Sequence, residues 1–460
     1  MTTKPSTTRK AIWPEGFPRP NFPYTPGISA GGWIFASGQM ATNFVDGLAP
    51  DAQVNDRNPH LKDAVELQSW KIMENLSSIM SAAGADISDD SVRIQQWRVA
   101  PHPTLEELEE GNTWTGLSVT PYYRARNSYI AEPRPASTGM GVRRLLLRDG
   151  LIGVDMIGIH PSSGPGKSGV GVPKELPAPL AGYSPAILNG DWVFLAGEIP
   201  TDWNGDFMTE QHMGPLSSLA PEARVNPYFW YGSPIEKQTE YTLSKLDLIA
   251  KAAGTSLDRC VKANVYISHP NEFEGMDRVW QSWFPNDPPA RVVIPYMGLG
   301  GMGTRIEIDM ILLSNDSKLE RRAISSDEAF EPLGHEPQAL KAGDFLFFST
   351  QLPAGPEGVA DDLLVNPNLP YCSSAPRAQA KSMFDSMSAL CEAAGTTIDN
   401  LCQVKEFYES LEAFPAVRDE WASRFNGDAP ASTSVEVGGP LIVPGAHLLM
   451  DVIGYVPPTD

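Results

Sequence analysis

Apolar and polar positions follow one pattern three times along the chain. Tyr24–Gln39 (YTPGISAGGWIFASGQ), Tyr183–Glu198 (YSPAILNGDWVFLAGE) and Glu336–Gln351 (EPQALKAGDFLFFSTQ) each run from a loop through a Gly-containing pair into an apolar strand. The pairs Gly31-Gly32, Gly190-Asp191 and Gly343-Asp344, flanked by β-formers, predict hairpins. A shared insertion follows: LAPDAQVN (48–55), LAPEARVN (219–226) and VADDLLVN (359–366). The loops around it, about 40–60, 200–234 and 353–376, are too long for simple connections. A helix comes next in each copy, clearest from the stripe Ile235, Tyr241, Leu243, Leu246, Leu248 and Ile249. Each helix is predicted to stop at Ala-Ala-Gly, ending on Gly84, Gly254 and Gly395, because a helix C-terminus favours a left-handed residue.

Strands are then predicted over 92–99, 261–267 and 403–409. A second short helix ends in VWQSWF (279–284) and EWASRF (420–425) in two copies. Every copy closes on an apolar strand bearing a carboxylate: LIGVDMIGI (151–159), RIEIDMILL (305–313) and LLMDVIGY (448–455). The period, about 140–165 residues, is that of a domain rather than of a solenoid repeat. Linkers are expected at 160–179 and 314–332, which are polar, charged or rich in Pro, Gly and Ser.

Composition narrows the function classes. The 460 residues are 42% hydrophobic and 20% charged, enough apolar surface for a packed core. The net charge of −21 opposes binding to nucleic acid or to an anionic membrane surface. No apolar run approaches the roughly 20 residues a spanning helix needs, and no secretory leader is visible, so a cytoplasmic location is expected. The four cysteines form no CxxC pair and read as free thiols. The seven histidines show no metal-binding spacing, so no metal and no cofactor are expected. The Gly-rich run 298–304 precedes a strand, not a helix, and reads as a rim loop rather than a phosphate cradle.

These residues together resemble the RidA/YjgF/YER-type family of small trimeric proteins. The resemblance rests on the Tyr-to-Gly strand opening, the helix ending Ala-Ala-Gly, the Pro-Ala-Arg segment at 289–291 and the closing strand Ile306-Glu307-Ile308-Asp309. It implies an α+β fold with two helices on one face of a mixed sheet. Three copies are expected at 22–160, 181–313 and 333–456, arranged as an intramolecular pseudo-trimer around a central barrel. Such closure also buries the second face of each sheet. Ligand clefts would lie between adjacent copies, and a homodimer of pseudo-trimers would be compatible with the family pattern.

The resemblance also implies a site. The family's carboxylate-clamping Arg matches Arg291, with Arg126 (in Arg124-Ala125-Arg126) and Ser432 as its counterparts. A guanidinium offers the paired donors that a carboxylate needs. The family's closing-strand Glu matches Glu307, with Gly153 and Leu449 elsewhere. Its Tyr matches Tyr24, Tyr183 and Glu336, and its ligand-approaching Gly matches Gly38, Gly197 and Thr350. The second copy thus reads as the best site, with Arg291, Glu307, Tyr183 and Gly197, and Arg126, Tyr24 and Gly38 as a lesser, anion-binding one. Glu198 stands where the family has Gln, and suggests a carboxyl pair with Glu307, one protonated and one ionised. The family's Cys is Val293 here, Ser128 and Ser434 in the other copies.

The implied activity is cofactor-free hydrolysis of a C–N bond in a small anionic catabolic intermediate, an enamine, an imine or a related cyclic amide. The alternative is a non-catalytic small-molecule binder or scaffold; ribonuclease activity ranks third. Tyr228, Phe229, Trp230 and Tyr231 in the middle loop would stack on a planar ring or plug a seam. Arg291 and Glu307 are expected to face one cleft, and the enzyme reading weakens if they do not.

Overall fold

The computed structural model describes residues 8–42, 45, 47–100, 119–177, 181–201, 218–225, 232–296, 298, 301, 303–366, 368–371, 373–425 and 427–458. Three sheets share one strand order. The first contains β1 (Gly27–Ala30), β2 (Trp33–Gln39), β3 (Ser91–Val99), β4 (Ala136–Val142) and β5 (Ile152–Ile159). The second contains β6 (Ala186–Asn189), β7 (Trp192–Glu198), β8 (Cys260–Ile267), β9 (Ala290–Pro295) and β10 (Ile306–Leu313). The third contains β11 (Ala339–Ala342), β12 (Phe345–Phe348), β13 (Leu401–Tyr408), β14 (Ala431–Glu436) and β15 (Leu448–Tyr455). The first sheet runs β1-β2-β5-β3-β4, and the others repeat this order. Only the last pair, β3 with β4, β8 with β9 and β13 with β14, is parallel.

Each parallel pair is joined by a helix, as parallel strands require. Among the described residues six helices have ten or more residues: α1 (Ala64–Ala82), α2 (Thr120–Tyr129), α3 (Pro234–Ala252), α4 (Phe273–Trp283), α5 (Ala375–Ala394) and α6 (Phe414–Arg424). Asp63, Ser233 and Ser374 cap α1, α3 and α5 by accepting from the backbone three residues on. Gly84, Gly254 and Gly395 follow those helices with φ of 78°, 70° and 84°, which only glycine adopts at little cost.

Strand alternation sends one set of side chains to the helices and the other to a shared centre. Ile34, Val193 and Leu346 join their own helix-side cores. Trp33, Phe35, Trp192, Phe194, Phe345 and Phe347 meet in one core drawn from all three sheets. The Trp33 ring lies 5.0 Å from Trp192 and 4.6 Å from Phe345. Three buried carboxylates surround this core, and each is paired with a cation from a different sheet. Asp309 takes Arg93, Asp155 takes Lys405 at 3.2 Å, and Asp451 takes Lys262 at 2.7 Å.

Two expectations need correction. The sheets do not close into one barrel: they remain three separately hydrogen-bonded sheets that meet mainly through side chains. A strand Arg144–Leu145 from the first unit does pair with β14 of the third. The linkers are also not idle. Ser168–Gly169 adds a strand beside β6, and Arg321–Ile324 adds one beside β11, as Lys10–Ile12 does beside β1. Polar composition conceals these strands because each lies at an exposed sheet edge.

Cys260, Cys391 and Cys402 are free and buried, while Cys372 lies outside the described residues. So do Tyr228–Tyr231 of the middle loop. Among the described residues no helix is long and apolar enough to cross a membrane, and no group of three or more His, Cys, Asp or Glu side chains is placed to hold a metal ion.

Candidate functional site

Strand register fixes which residues correspond. Ala136, Ala290 and Ala431 stand opposite Arg93, Lys262 and Gln403 on the neighbouring parallel strands. The counterparts of Arg291 are therefore Ser137 and Ser432. Arg126 is not one of them: it lies on α2, where its guanidinium faces the Tyr123 ring at 4.7 Å and donates to the carbonyls of Ala181 and Gly182. Arg124-Ala125-Arg126 imitates the motif, and Pro135-Ala136-Ser137 occupies its place.

Alternation also separates Arg291 from Glu307. On β9, Val293 packs into the helix-side core, so Arg291 two residues earlier points to the helices. On β10, Ile306, Ile308 and Met310 take the helix side, so Glu307 points to the other face. The expectation of one cleft holding both is corrected: the second unit contributes Arg291 to its interface with the third unit, and Glu307 to its interface with the first.

At the second–third interface Arg291 is fully buried and occupied. Its guanidinium donates to Asp277 Oδ1 at 2.5 Å and to Glu336, and it lies 4.9 Å from the Trp280 ring. Glu336 is the residue standing where the other copies have Tyr24 and Tyr183. The chain's own carboxylate fills the clamp.

At the first–second interface lie four of the expected residues: Glu307, Tyr183, Gly197 and Glu198. A Cβ on Gly197 would come within 2.1 Å of Glu307 Oε1, so glycine is what lets the carboxyl lie over β7. The Gly139 N–H of β4 donates to Glu307. Burial pushes the Glu307 carboxyl well above its ordinary range; Asp309 and Glu198 add to the rise, while Arg98 of β3 opposes it. Glu198 pairs with Lys245 at 2.8 Å, and the Tyr183 hydroxyl lies 3.5 Å from Glu198 Oε1. Burial likewise raises Tyr183, with Glu198 reinforcing it, so the phenol stays protonated. Arg98 makes no ion pair within 4.0 Å among the described residues, and its Nε is buried without a hydrogen bond.

At the third–first interface Tyr24 and Gly38 line a cavity of about 350 Å³ with Ser432, Ser434 and Arg418. Gln39 Nε2 donates to the Tyr24 hydroxyl at 2.9 Å. Arg418 donates to Glu406 at 2.5 Å.

On its helix-facing side each interface thus has a guanidinium near a carboxyl group, delivered from a different element: Arg98 from β3, Arg291 from β9 and Arg418 from α6. Arg98 and Arg418 went unnoticed in the sequence because neither sits in the Pro-Ala-Arg position. The one available signal was the alignment of the second helices, in which Tyr123, Asp277 and Arg418 each stand three residues before the position that precedes the helix end by four. The shared N–H contacts of Ile130, Phe284 and Phe425 fix that alignment.

A family model described as Endoribonuclease L-PSP matches residues 229–313 and 326–455. A RutC family protein of Pyrococcus horikoshii is 30% identical over 121 residues, which span 26% of this chain and 79% of that protein. A 2-iminobutanoate/2-iminopropanoate deaminase of Dermatophagoides farinae is 27% identical over 117 residues, 25% of this chain and 84% of that protein. Among solved structures, RidA from an Antarctic Psychrobacter covers 29% of this chain and 99% of its own, with 24% identity and a TM-score of 0.25.

Proposed function

The chain belongs to the RidA/YjgF family, and from that premise we propose that it is a cofactor-free hydrolase that releases ammonia from a small imine or enamine at the interface of its first and second units. In the same reading the three units are the one-chain counterpart of a trimer, with three interfaces that have diverged. The units take the expected ranges 22–160, 181–313 and 333–456 as their cores.

One observation carries the choice of interface. Arg291 and Arg418 are each spent on a carboxylate, whereas Arg98 has no ion pair among the described residues and faces Glu307, a buried carboxyl whose burial favours the protonated form. A cation without a carboxylate partner is available to a substrate anion. In this mechanism Arg98 holds the substrate carboxylate. Glu307 gives its proton to the imine nitrogen as water adds to the carbon, then takes a proton from the added water. Collapse of the resulting carbinolamine expels ammonia and leaves the carbonyl, so one water is consumed for each C=N bond broken. Glu198, ion-paired with Lys245, keeps a negative charge nearby that favours the protonated form of Glu307. The Gly197 backbone, over which the Glu307 carboxyl lies because no side chain intervenes, borders the reacting carbon.

Ammonia release from freshly generated short-chain 2-imino acids tests this. The wild-type protein should accelerate release. Glu307→Gln should lower turnover about 10²-fold with little change in KM. Arg98→Ala should raise KM about tenfold or more. Full turnover in Glu307→Gln would sink the assignment. The second reading, a binder without chemistry, is favoured by the occupied state of Arg291, and wild-type protein that leaves release unaccelerated would support it.

A further inference from the structure

The hydrolysis proposed for the first–second interface makes no use of the 350 Å³ cavity between the third and first units. That cavity exists because of what both of its walls lack. Ser432 of β14 stands at the register position of Arg291, and Gly153 of β5 stands at that of Glu307, since both pair with matched positions on the central strand. Two long polar side chains are thereby replaced by a hydroxymethyl group and a hydrogen. The nearest neighbours of a Cβ on Gly153 would be Leu145 at 3.6 Å and the Gln39 carbonyl at 3.7 Å, ordinary contact distances. Gly153 therefore has room for a β-carbon, and it lines the cavity.

The remaining wall is chiefly apolar: Phe22, Met40, Trp97, Leu147 and Phe414 all border it. Among the described residues one charged group reaches the cavity, and its charge is already matched. Arg418 donates to Glu406 at 2.5 Å and to Ser434 Oγ at 2.9 Å, and its guanidinium lies 4.1 Å from the Trp421 ring. Glu406 is fully buried, and Ser434 Oγ also contacts it at 2.6 Å. An incoming anion would have to strip Arg418 from a buried partner, leaving Glu406 uncompensated, which is strongly unfavourable. An uncharged guest meets no such cost.

We propose that this cavity is a second ligand site, selective for an uncharged, largely apolar molecule about the size of two fused rings. An apolar cavity of about 150 Å³ accommodates benzene; the larger volume here suits a bicyclic guest. The hydroxyls of Tyr24 and Ser432 at its edge offer one polar contact for a hydroxyl or carbonyl on the ring. The site differs from the family's anion clamp in ligand class as well as in residues. It is independent of the reaction at Glu307.

Isothermal titration calorimetry of the full chain with 2-naphthol and, separately, with the size-matched anion 2-naphthoate tests the proposal. With the carboxylate clamp of the other interface removed by Arg98→Ala, the protein should bind one 2-naphthol per chain and bind 2-naphthoate at least about tenfold more weakly, because in this cavity the anion meets no unpaired cation among the described residues. Gly153→Phe fills the cavity from β5 and should weaken 2-naphthol binding at least about tenfold. If that variant does not fold, Ser432→Leu fills it from the opposite wall and is read the same way. Absence of 2-naphthol binding, equal binding of the anion, or undiminished binding in a folded cavity-filled variant would each overturn the proposal. The readout is heat of binding, so loss of imine hydrolysis would leave this result unaffected.

Discussion

At Glu307, burial sets the protonation state before any substrate arrives. The native carboxyl holds its proton to a pH well above its ordinary range because desolvation penalises the charged form, with Asp309 and Glu198 adding repulsion. The unfolded chain releases that proton near pH ~4.3. Between that pH and the raised native value the folded state binds one more proton than the unfolded state, so stability falls as pH rises. Glu307→Gln removes this dependence. Relative to wild type it should gain up to about 1.4 kcal/mol per pH unit across the window. Urea unfolding at about pH 5, 6 and 7 checks it, and curves for the two proteins that stay parallel would mean that Glu307 is ionised in the folded state. Glu307 and Gly197 were legible in the sequence through resemblance: the closing strand Ile306-Glu307-Ile308-Asp309 and the opening from Tyr183 to Gly197 each match a family motif in order. Arg126 was misread for the opposite reason: an Arg-Ala-Arg string carries no register, and only pairing of Ala136 with Arg93 shows that Ser137 holds the place.

At the scale of elements, the split between Arg291 and Glu307 follows from the pleat. The strand β9 reads ARVVIP, with apolar residues on both faces, so its sequence does not reveal which face the Arg takes. Three sheets packed in a ring then assign the two faces to different neighbours. Hairpins, helix stops and closing strands were readable because each has a local cause, such as a glycine with positive φ or a 3.6-residue stripe. Partner choice has no local signature. At the second–third interface this leaves a buried trio of Arg291, Asp277 and Glu336. Arg291→Ala strands two carboxylates and should cost about 3–5 kcal/mol. The double variant Arg291→Met with Glu336→Leu removes much of the buried charge and should recover at least about half of that loss. Denaturant midpoints of the single and double variants decide the matter; a single variant within about 0.5 kcal/mol of wild type would mean that the trio is solvated and not a structural clasp.

For the whole molecule, the decisive feature is that no unit owns its centre. Trp33, Trp192 and Phe345 come from three sheets and share one core. The surrounding ion pairs pass from unit to unit: Arg93 of the first serves Asp309 of the second, Lys262 of the second serves Asp451 of the third, and Lys405 of the third serves Asp155 of the first. Each closing-strand carboxylate was visible in the sequence as a charge in an apolar run, yet its partner lies 189 to 250 residues away, so folding must bring the units together before any pair can form. A unit that unfolds alone would expose one third of the aromatic centre and leave a neighbour's aspartate or cation buried without a partner, at a cost of several kcal/mol per ion. Partial unfolding is therefore disfavoured, and the three units should melt as one. Differential scanning calorimetry is expected to give a calorimetric enthalpy about equal to the van't Hoff enthalpy, where independent units would give a ratio of about three. Lys262→Met, which removes the partner of Asp451, should lower this single transition as a whole by about 3–5 kcal/mol without splitting it. Two resolved transitions in the variant, one of them at the wild-type temperature, would show instead that the third unit holds together on its own and that the ring of ion pairs couples nothing.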